Sequence, residues 1–338
     1  MSAPAVPTPA RDRSWVQVVA AGWSYLFLIL LCIFFEVWAR VAFGASFMFN
    51  LTNIQSIALA TVQPLLLGLG LTLVIIAGGI DLSVGFTVGL ASVVAARAMQ
   101  TLDPSLPPLV SFLLGALAAS IAAMAVGFVN GVLISRFAVP AFIGTLGMYG
   151  IARGVGFLAA DGNTVPTTNG VNSDFGNQFL FGVVPIPVLV TVVIVLFMHY
   201  LLSRTRFGQY TYAIGGNRNA AIRAGINVSR HTVALYMLTA LLAGVAGILY
   251  TARFTAGAAQ AGEPTLLDAI AAVVIGGASL FGGEGTIRGT VIGALIIAVI
   301  QFGLVFINVP PFYQFIAVGS VIIISVLVDQ ARRSVVKA

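Results

Sequence analysis

The sequence predicts an all-α polytopic membrane protein: a bundle of about ten transmembrane helices, broken in places by glycine turns, with a short helix exposed on the cytoplasmic side. Three observations predict it. Hydrophobic residues make up 59% of the chain and charged residues only 8%, with a mean hydropathy of +1.06, whereas a soluble domain is about a quarter charged. The 338 residues accommodate about ten spans of roughly 20 residues with short loops. Basic residues gather in alternate loops, as the positive-inside rule requires of a multi-pass chain. The 37 glycines fit the same class, because glycine lets membrane helices approach closely.

The chain opens with a Pro- and Ala-rich stretch, residues 1–14, expected to be a disordered cytoplasmic tail. The apolar run 15–43 is too long for a signal-peptide core and reads as a retained first helix. Further spans are expected near 54–79, 82–100, 109–135, 140–160, 182–202, 231–252, 266–281, 286–307 and 312–330. Residues 15–330 then form one transmembrane domain, and 331–338 a cytoplasmic tail. The single cysteine, Cys32, lies inside the first span, cannot form an intrachain disulfide and reads as a small apolar residue.

Orientation follows from arginine and lysine. With the N-terminus inside, alternate loops collect Arg136, then Arg204, Arg206, Arg218, Arg223 and Arg230, then Arg288, then Arg332, Arg333 and Lys337. Residues 161–190 on the opposite side carry no Arg or Lys. Both termini are therefore expected in the cytoplasm, with an even number of spans. The net charge of +6 reflects this topology and makes no case for nucleic acid as a partner.

The segment LGLTLVIIAGGIDLSVG, Leu69 to Gly85, is the most unusual. Membrane-grade apolar sequence stops at Gly78 and Gly79, and a lone carboxylate, Asp81, follows beside Ser83 and Gly85. A carboxylate inside a bilayer helix costs about 3 kcal/mol at the helix centre, so it reads as functional. Broken helices at that depth survive where backbone is buried in protein or lines a cavity. The bland alternative is a tight turn in which Asp81 caps the next helix.

The longest basic loop, residues 203–231, holds enough polar sequence for an element outside the membrane. Asn217 can cap a helix through Ala220, Ala221 and Arg223, with Gly225 as its stop. Such a helix offers a docking point to a soluble partner; contact with anionic lipid headgroups is the plainer reading. A third stretch, residues 271–300, echoes the first. Gly78, Gly79, Leu82 and Gly85 align at constant offset with Gly276, Gly277, Leu280 and Gly283, with Ser279 where Asp81 stands, a hint of an internal repeat with both turns on one face.

Four segments occur in one order: AGGIDLSVG (Ala77 to Gly85), VPAFIGTLGMYGIARG (Val139 to Gly154), RTRFGQYTYAIGGNRNAAIRAGI (Arg204 to Ile226) and LDAIAAVVIGGASLFGGEGTIRGTVIGALI (Leu267 to Ile296). Together they resemble the permease subunits of bacterial ATP-binding-cassette importers for ribose, xylose, galactose and related sugars. The resemblance covers about residues 50 to 330. It implies an inner-membrane subunit, paired with a second copy or a close relative, that translocates a monosaccharide delivered by a periplasmic binding protein. A separate ATPase binds and hydrolyses ATP, so this chain is expected to bind no cofactor and to be no enzyme. The chain lacks a G-x-x-x-x-G-K-[ST] phosphate loop, in keeping with that division of labour. The resemblance also gives the loop a role: Tyr212, Ala213, Gly215, Gly216, Asn217, Ala220, Ala221 and Gly225 would form the element that docks on the ATPase. Gly78, Gly79, Asp81, Ser83 and Gly85 form a second signature.

Candidates for the solute path are polar or aromatic residues at mid-span: Gln63, Asn130, Phe142, Thr145 and Tyr149. Four of them have a structural alternative: helix packing for Phe142 and Tyr149, and interhelical hydrogen bonding for Gln63 and Asn130. His199 and His231, at either end of the basic loop, read as interfacial, and Arg153 has no evident partner in the sequence. No HExxH or Cys/His cluster points to a metal. Two other classes compete with the importer: a proton-coupled secondary transporter using Asp81, and an intramembrane enzyme, for which Asp81, Asp268 and Glu284 supply acids but no sequence-paired catalytic set.

Overall fold

The computed structural model describes residues 15–102, 105–167, 170–310, 312–321 and 323–324. The expected tails, 1–14 and 331–338, and the last part of the tenth span lie outside the described residues. The elements are α1 (Trp15–Phe43), α2 (Leu51–Ile76), α3 (Val84–Thr101), α4 (Pro108–Arg136), α5 (Ala141–Ala159), β1 (Val165–Pro166), α6 (Gly170–Asn177), β2 (Phe179–Leu180), β3 (Val184–Pro185), α7 (Ile186–Arg204), α8 (Arg206–Gly216), α9 (Arg218–Arg223), α10 (Val228–Phe254), β4 (Ala256–Gly257), α11 (Glu263–Ile275) and α12 (Ile287–Phe306). A further apolar helix, α13, spans Phe312–Val321. Each expected span meets one of these helices. Seven are long and apolar enough to cross a membrane: α2, α4, α5, α7, α10, α12 and the Gly22–Phe43 part of α1.

Burial explains the spatial order. In α2 the run from Pro64 to Ile76 is buried without interruption, so this helix is central, as its all-round apolar sequence requires. By contrast α1, α4, α5 and α7 expose one apolar side, including Ile29, Ile33, Leu117, Ile121, Leu146, Ile151, Val193 and Phe197, the faces that meet lipid. Because lipid is as apolar as leucine, close packing rather than burial from water holds such helices together. A methyl added at Gly127 in α4 would stand 2.4 Å from the Tyr236 carbonyl oxygen of α10, and one at Gly131 would stand 2.6 Å from Val233 Cα. These glycines let α4 and α10 pack backbone to backbone.

Sheet is minimal. β1 pairs antiparallel with β4, Val165 opposite Gly257, and β2 pairs antiparallel with β3. The basic-poor segment 161–181 contains α6, whose Phe175 ring packs 5.2 Å from Phe112. Asn177 donates to the Arg253 carbonyl at 3.0 Å. The α6 part of this segment is thus tied to α4 and α10.

α2 and α11 end alike. After α2, Gly78 takes φ +80° and the Gly79 N–H reaches back to the Val74 carbonyl at 2.9 Å; after α11, Gly277 takes φ +87° and the Ala278 N–H reaches the Val273 carbonyl at 3.1 Å. Both are Schellman-type ends, in which a left-handed residue favours glycine. The sequence alignment paired Gly78 with Gly276; the structure pairs Gly78 with Gly277, one position later. The turn chemistry keeps the original register, since Asp81 Oδ1 accepts from the N–H two residues on and so does Ser279 Oγ.

Candidate functional site

α8 and α9 form an external two-helix element where the basic loop was expected. One capped helix was read there, and it exists as α9: Asn217 is extended (φ −160°, ψ 100°) and its side chain accepts from the Ala220 N–H at 3.0 Å. Gly225 ends it with φ +82°. α8, which precedes it, was missed.

The inner face of α8 is fixed at three points. Thr211 Oγ1 and His231 Nε2 share a hydrogen bond of 2.9 Å, with Phe207 packed 4.6 Å from the imidazole. His231 is therefore buried and pins α8 to α10, where the sequence reading made it interfacial. Tyr212 donates its hydroxyl to the Gly285 carbonyl at 2.6 Å; burial raises the phenol above its usual pKa, so it stays a donor. At Gly215 the backbones touch: an added Cβ would stand 1.7 Å from the Ile76 carbonyl oxygen and 2.7 Å from Gly283 N. That same carbonyl accepts from the Gly283 N–H at 2.8 Å. The two glycine turns that echo each other in sequence thus meet under α8.

The outer face is open. Ala213, Gly216, Asn217, Arg218, Ala220, Arg223 and Gly225 are exposed, as is Ile222 at 53%, while Ala221 packs inward with Ile214 and Val228. A methyl at Gly216 would meet nothing within 4 Å. Small residues around one projecting isoleucine, flanked by two arginines, make a surface that a complementary acidic and apolar groove can seat.

Asp81 sits deeper. It is wholly buried, as are Ser83 and Asn130. Asp81 Oδ1 accepts from Ser83 N at 3.0 Å and Ser83 Oγ at 2.6 Å, and Asn130 Nδ2 donates to Ser83 Oγ at 2.9 Å and Asp81 Oδ1 at 3.4 Å. Ser83, just before α3, already has helical dihedrals (φ −68°, ψ −20°) and makes no side-chain capping bond of its own; the side-chain bond at the start of this helix is the one its N–H gives to Asp81 Oδ1. Asp81 Oδ2 and Asn130 Oδ1 have no hydrogen-bond partner among the described residues. Tyr236 donates to the Ile80 carbonyl at 3.0 Å, beside Gly79, and Gly85 faces Leu266 and the Gly262 carbonyl. This signature therefore joins the α2–α3 turn to α4, α10 and α11.

The five path candidates do not converge. Asn130 belongs to the Asp81 cluster. Phe142 is exposed on α5, and Thr145 is buried, bonding back to the Ala141 carbonyl at 2.8 Å. Tyr149 packs edge-on against Phe86, its hydroxyl 3.5 Å from Glu263 Oε1, and Arg153 lies over the same Phe86 ring at 5.3 Å. Gln63 reaches a cavity, of about 200 Å³, between α2, α10, α11 and α12. Arg253, Asp268 and Gln301 line it too. The sequence offers Asp268 only as an acid near a helix; its meeting with Arg253 depends on helix packing that spacing does not encode.

Residues 53–326 match the family model of branched-chain amino acid transport system permease components. The ribose import permease protein of Escherichia coli K12 is 40% identical over 292 residues, covering 84% of this chain and 88% of its own. The fructose import permease protein of Rhizobium meliloti is 35% identical over 96% of this chain and 91% of its own. For the L-arabinose ABC transporter permease protein of Azospirillum brasilense the identity is 31%, over 97% and 92%. No solved structure matches. These matches favour the ATP-binding-cassette reading over a proton-coupled one, and the chain belongs to the family of permease components of ATP-binding-cassette importers.

Proposed function

We propose that this subunit moves a monosaccharide across the bacterial inner membrane, driven by a separate ATPase seated on α8–α9. The observation that carries the reading is the clamp at Gly215, where an element with an open outer face bears directly on the ends of α2 and the turn before α12. A push on Ala213, Gly216 or Ile222 has no slack to lose before it reaches the core. The sugar class rests on the names of the relatives, which specify ribose, fructose and arabinose import.

In this reading both termini and α8–α9 face the cytoplasm, as the arginines of 204–230 favour. A periplasmic binding protein delivers sugar to the opposite face, and two permease copies share one pair of ATPase subunits. The chain binds no cofactor; ATP belongs to the partner. ATP shifts the bundle only as far as it binds one state more tightly than the other, and the ATPase contact on α8 is where that difference enters.

Reconstitution tests the reading. Vesicles holding this chain, its ATPase and the binding protein should take up sugar when ATP is supplied on the ATPase side, unchanged by an uncoupler. Uptake by the chain alone, lost on adding the uncoupler, would overturn it.

A further inference from the structure

The cavity beside Gln63 lies in the half of the bundle away from α8. It is bounded by the first half of α2, the ends of α10 and α12 and the start of α11. Gln63 lies twelve positions into α2, about 18 Å along its axis at 1.5 Å per residue, while Arg253 is one residue from the end of α10. The space therefore runs from the rim toward mid-span.

Its polar groups are left partly unused. Gln301 Nε2 donates to Asp268 Oδ2 at 2.8 Å, and Gln63 Nε2 donates to the Ala261 carbonyl at 2.8 Å. Asp268 Oδ1 and both glutamine side-chain oxygens accept no bond among the described residues. The half-buried Arg253 guanidinium has neither a hydrogen-bond acceptor nor an ion pair there, stacking only on Phe254 at 5.7 Å. Pro64 removes the N–H that the Ala60 carbonyl would meet one turn on, and both residues line the cavity. A carboxylate and a guanidinium thus share one small space without pairing. A group with no protein partner at membrane depth is expensive unless something fills the space.

We propose that this cavity is a solute site within a single protomer, holding one neutral polyhydroxy molecule of pentose or hexose size. Hydroxyls can donate to Asp268, Gln63 and Gln301 while accepting from Arg253, and several acceptors around one cationic donor suit a molecule rich in O–H. A volume of about 200 Å³ matches the liquid share of roughly six waters, enough for one small solute. Tyr250 and Thr265, also on the wall, add a ring and a hydroxyl. The proposal rests on the importer reading and extends it by giving the sugar a place to stop.

The test uses the full chain in lipid nanodiscs, with Cys32→Ser and Thr265→Cys, labelled by a hydrophilic maleimide with and without D-ribose, D-fructose or L-leucine at high concentration. Labelling should proceed, and each sugar should slow it at least threefold while leucine does not. Adding Asp268→Asn should abolish the protection. If Thr265→Cys does not fold, Ala60→Cys, also on the wall but assigned no contact with the solute, carries the same readout. A cysteine that never labels, or labels equally fast with every solute, overturns the site; slowing by leucine alone overturns its chemical class in favour of a zwitterion. Transport separates this from the importer reading. ATP-driven sugar uptake that is normal in Asp268→Asn and in Arg253→Gln removes the site and leaves the importer standing. Wild-type vesicles that show no ATP-driven uptake remove the importer reading itself.

Discussion

Gly215→Ala puts the coupling clamp to a direct test. The new Cβ would lie 1.7 Å from the Ile76 carbonyl oxygen and 2.7 Å from Gly283 N. Ordinary contact begins near 3.4 Å, so α8 must withdraw by roughly 1.5 Å or more. Both opposing groups are backbone, one at the end of α2 and one in the turn before α12, and cannot rotate away. Overpacking of this kind costs about 1–3 kcal/mol. Disturbing the 2.8 Å bond from the Gly283 N–H to the Ile76 carbonyl adds about 1 kcal/mol. If ATP-driven motion reaches the core through this contact, uptake should fall at least tenfold, a coupling loss of about 1.4 kcal/mol. Gly216→Ala is the control, since its methyl meets nothing, and it should leave uptake and thermal midpoint at wild-type values. Both variants would be scored by uptake into vesicles with ATPase and binding protein, and by melting in detergent. Wild-type uptake by Gly215→Ala would refute the idea that this contact transmits force.

Gly216→Asp places a charge on the open face without a clash; the chain should insert and melt normally yet lose ATP-driven uptake and ATPase binding, and retention of both would remove α8 from the docking surface. Tyr212→Phe deletes the 2.6 Å bond to the Gly285 carbonyl and should cost about 1 kcal/mol in a detergent melt. Because burial raises the Tyr212 pKa, the donor persists to higher pH than a free phenol, so this loss should be constant between about pH 6 and 9; a loss that fades within that range would contradict the assignment. Asp81→Asn keeps the Oδ1 acceptor for Ser83 and removes a buried charge, so the melting point should hold or rise, whereas Asp81→Ala should cost about 1–3 kcal/mol. Loss of transport in Asp81→Asn with an unchanged melt would show that the charge itself is used.

Helices were legible because a membrane makes apolar length almost sufficient evidence: α1 was read as 15–43, and the other spans fell within a few residues of α2 to α5, α7 and α10. The Asn217 cap of α9 was also legible, since a short polar side chain before a helical run has few other uses. α8 was not. Its sequence, RFGQYTYAIGG, is apolar on only one side and holds three glycines; its helicity comes from packing on Ile76, His231 and Gly285, which lie far off in the chain. Asp81 shows the same limit. A cap was legible from its place before the helix, and its Oδ1 does accept the Ser83 N–H, but its neighbour across the bundle, Asn130, is set by the α3–α4 packing. The path candidates were chosen by residue type at mid-span, and type alone could not tell Gln63, which faces a cavity, from Thr145, which bonds to its own helix.

The measurement that bears most directly on the whole account is affinity purification of the tagged chain from its native membrane in mild detergent, with identification of what accompanies it. The account predicts an ATPase carrying a phosphate-binding loop, recovered with wild type and with Gly216→Ala and lost with Gly216→Asp. A chain that comes down without any such ATPase, and still moves solute when reconstituted alone, would contradict it.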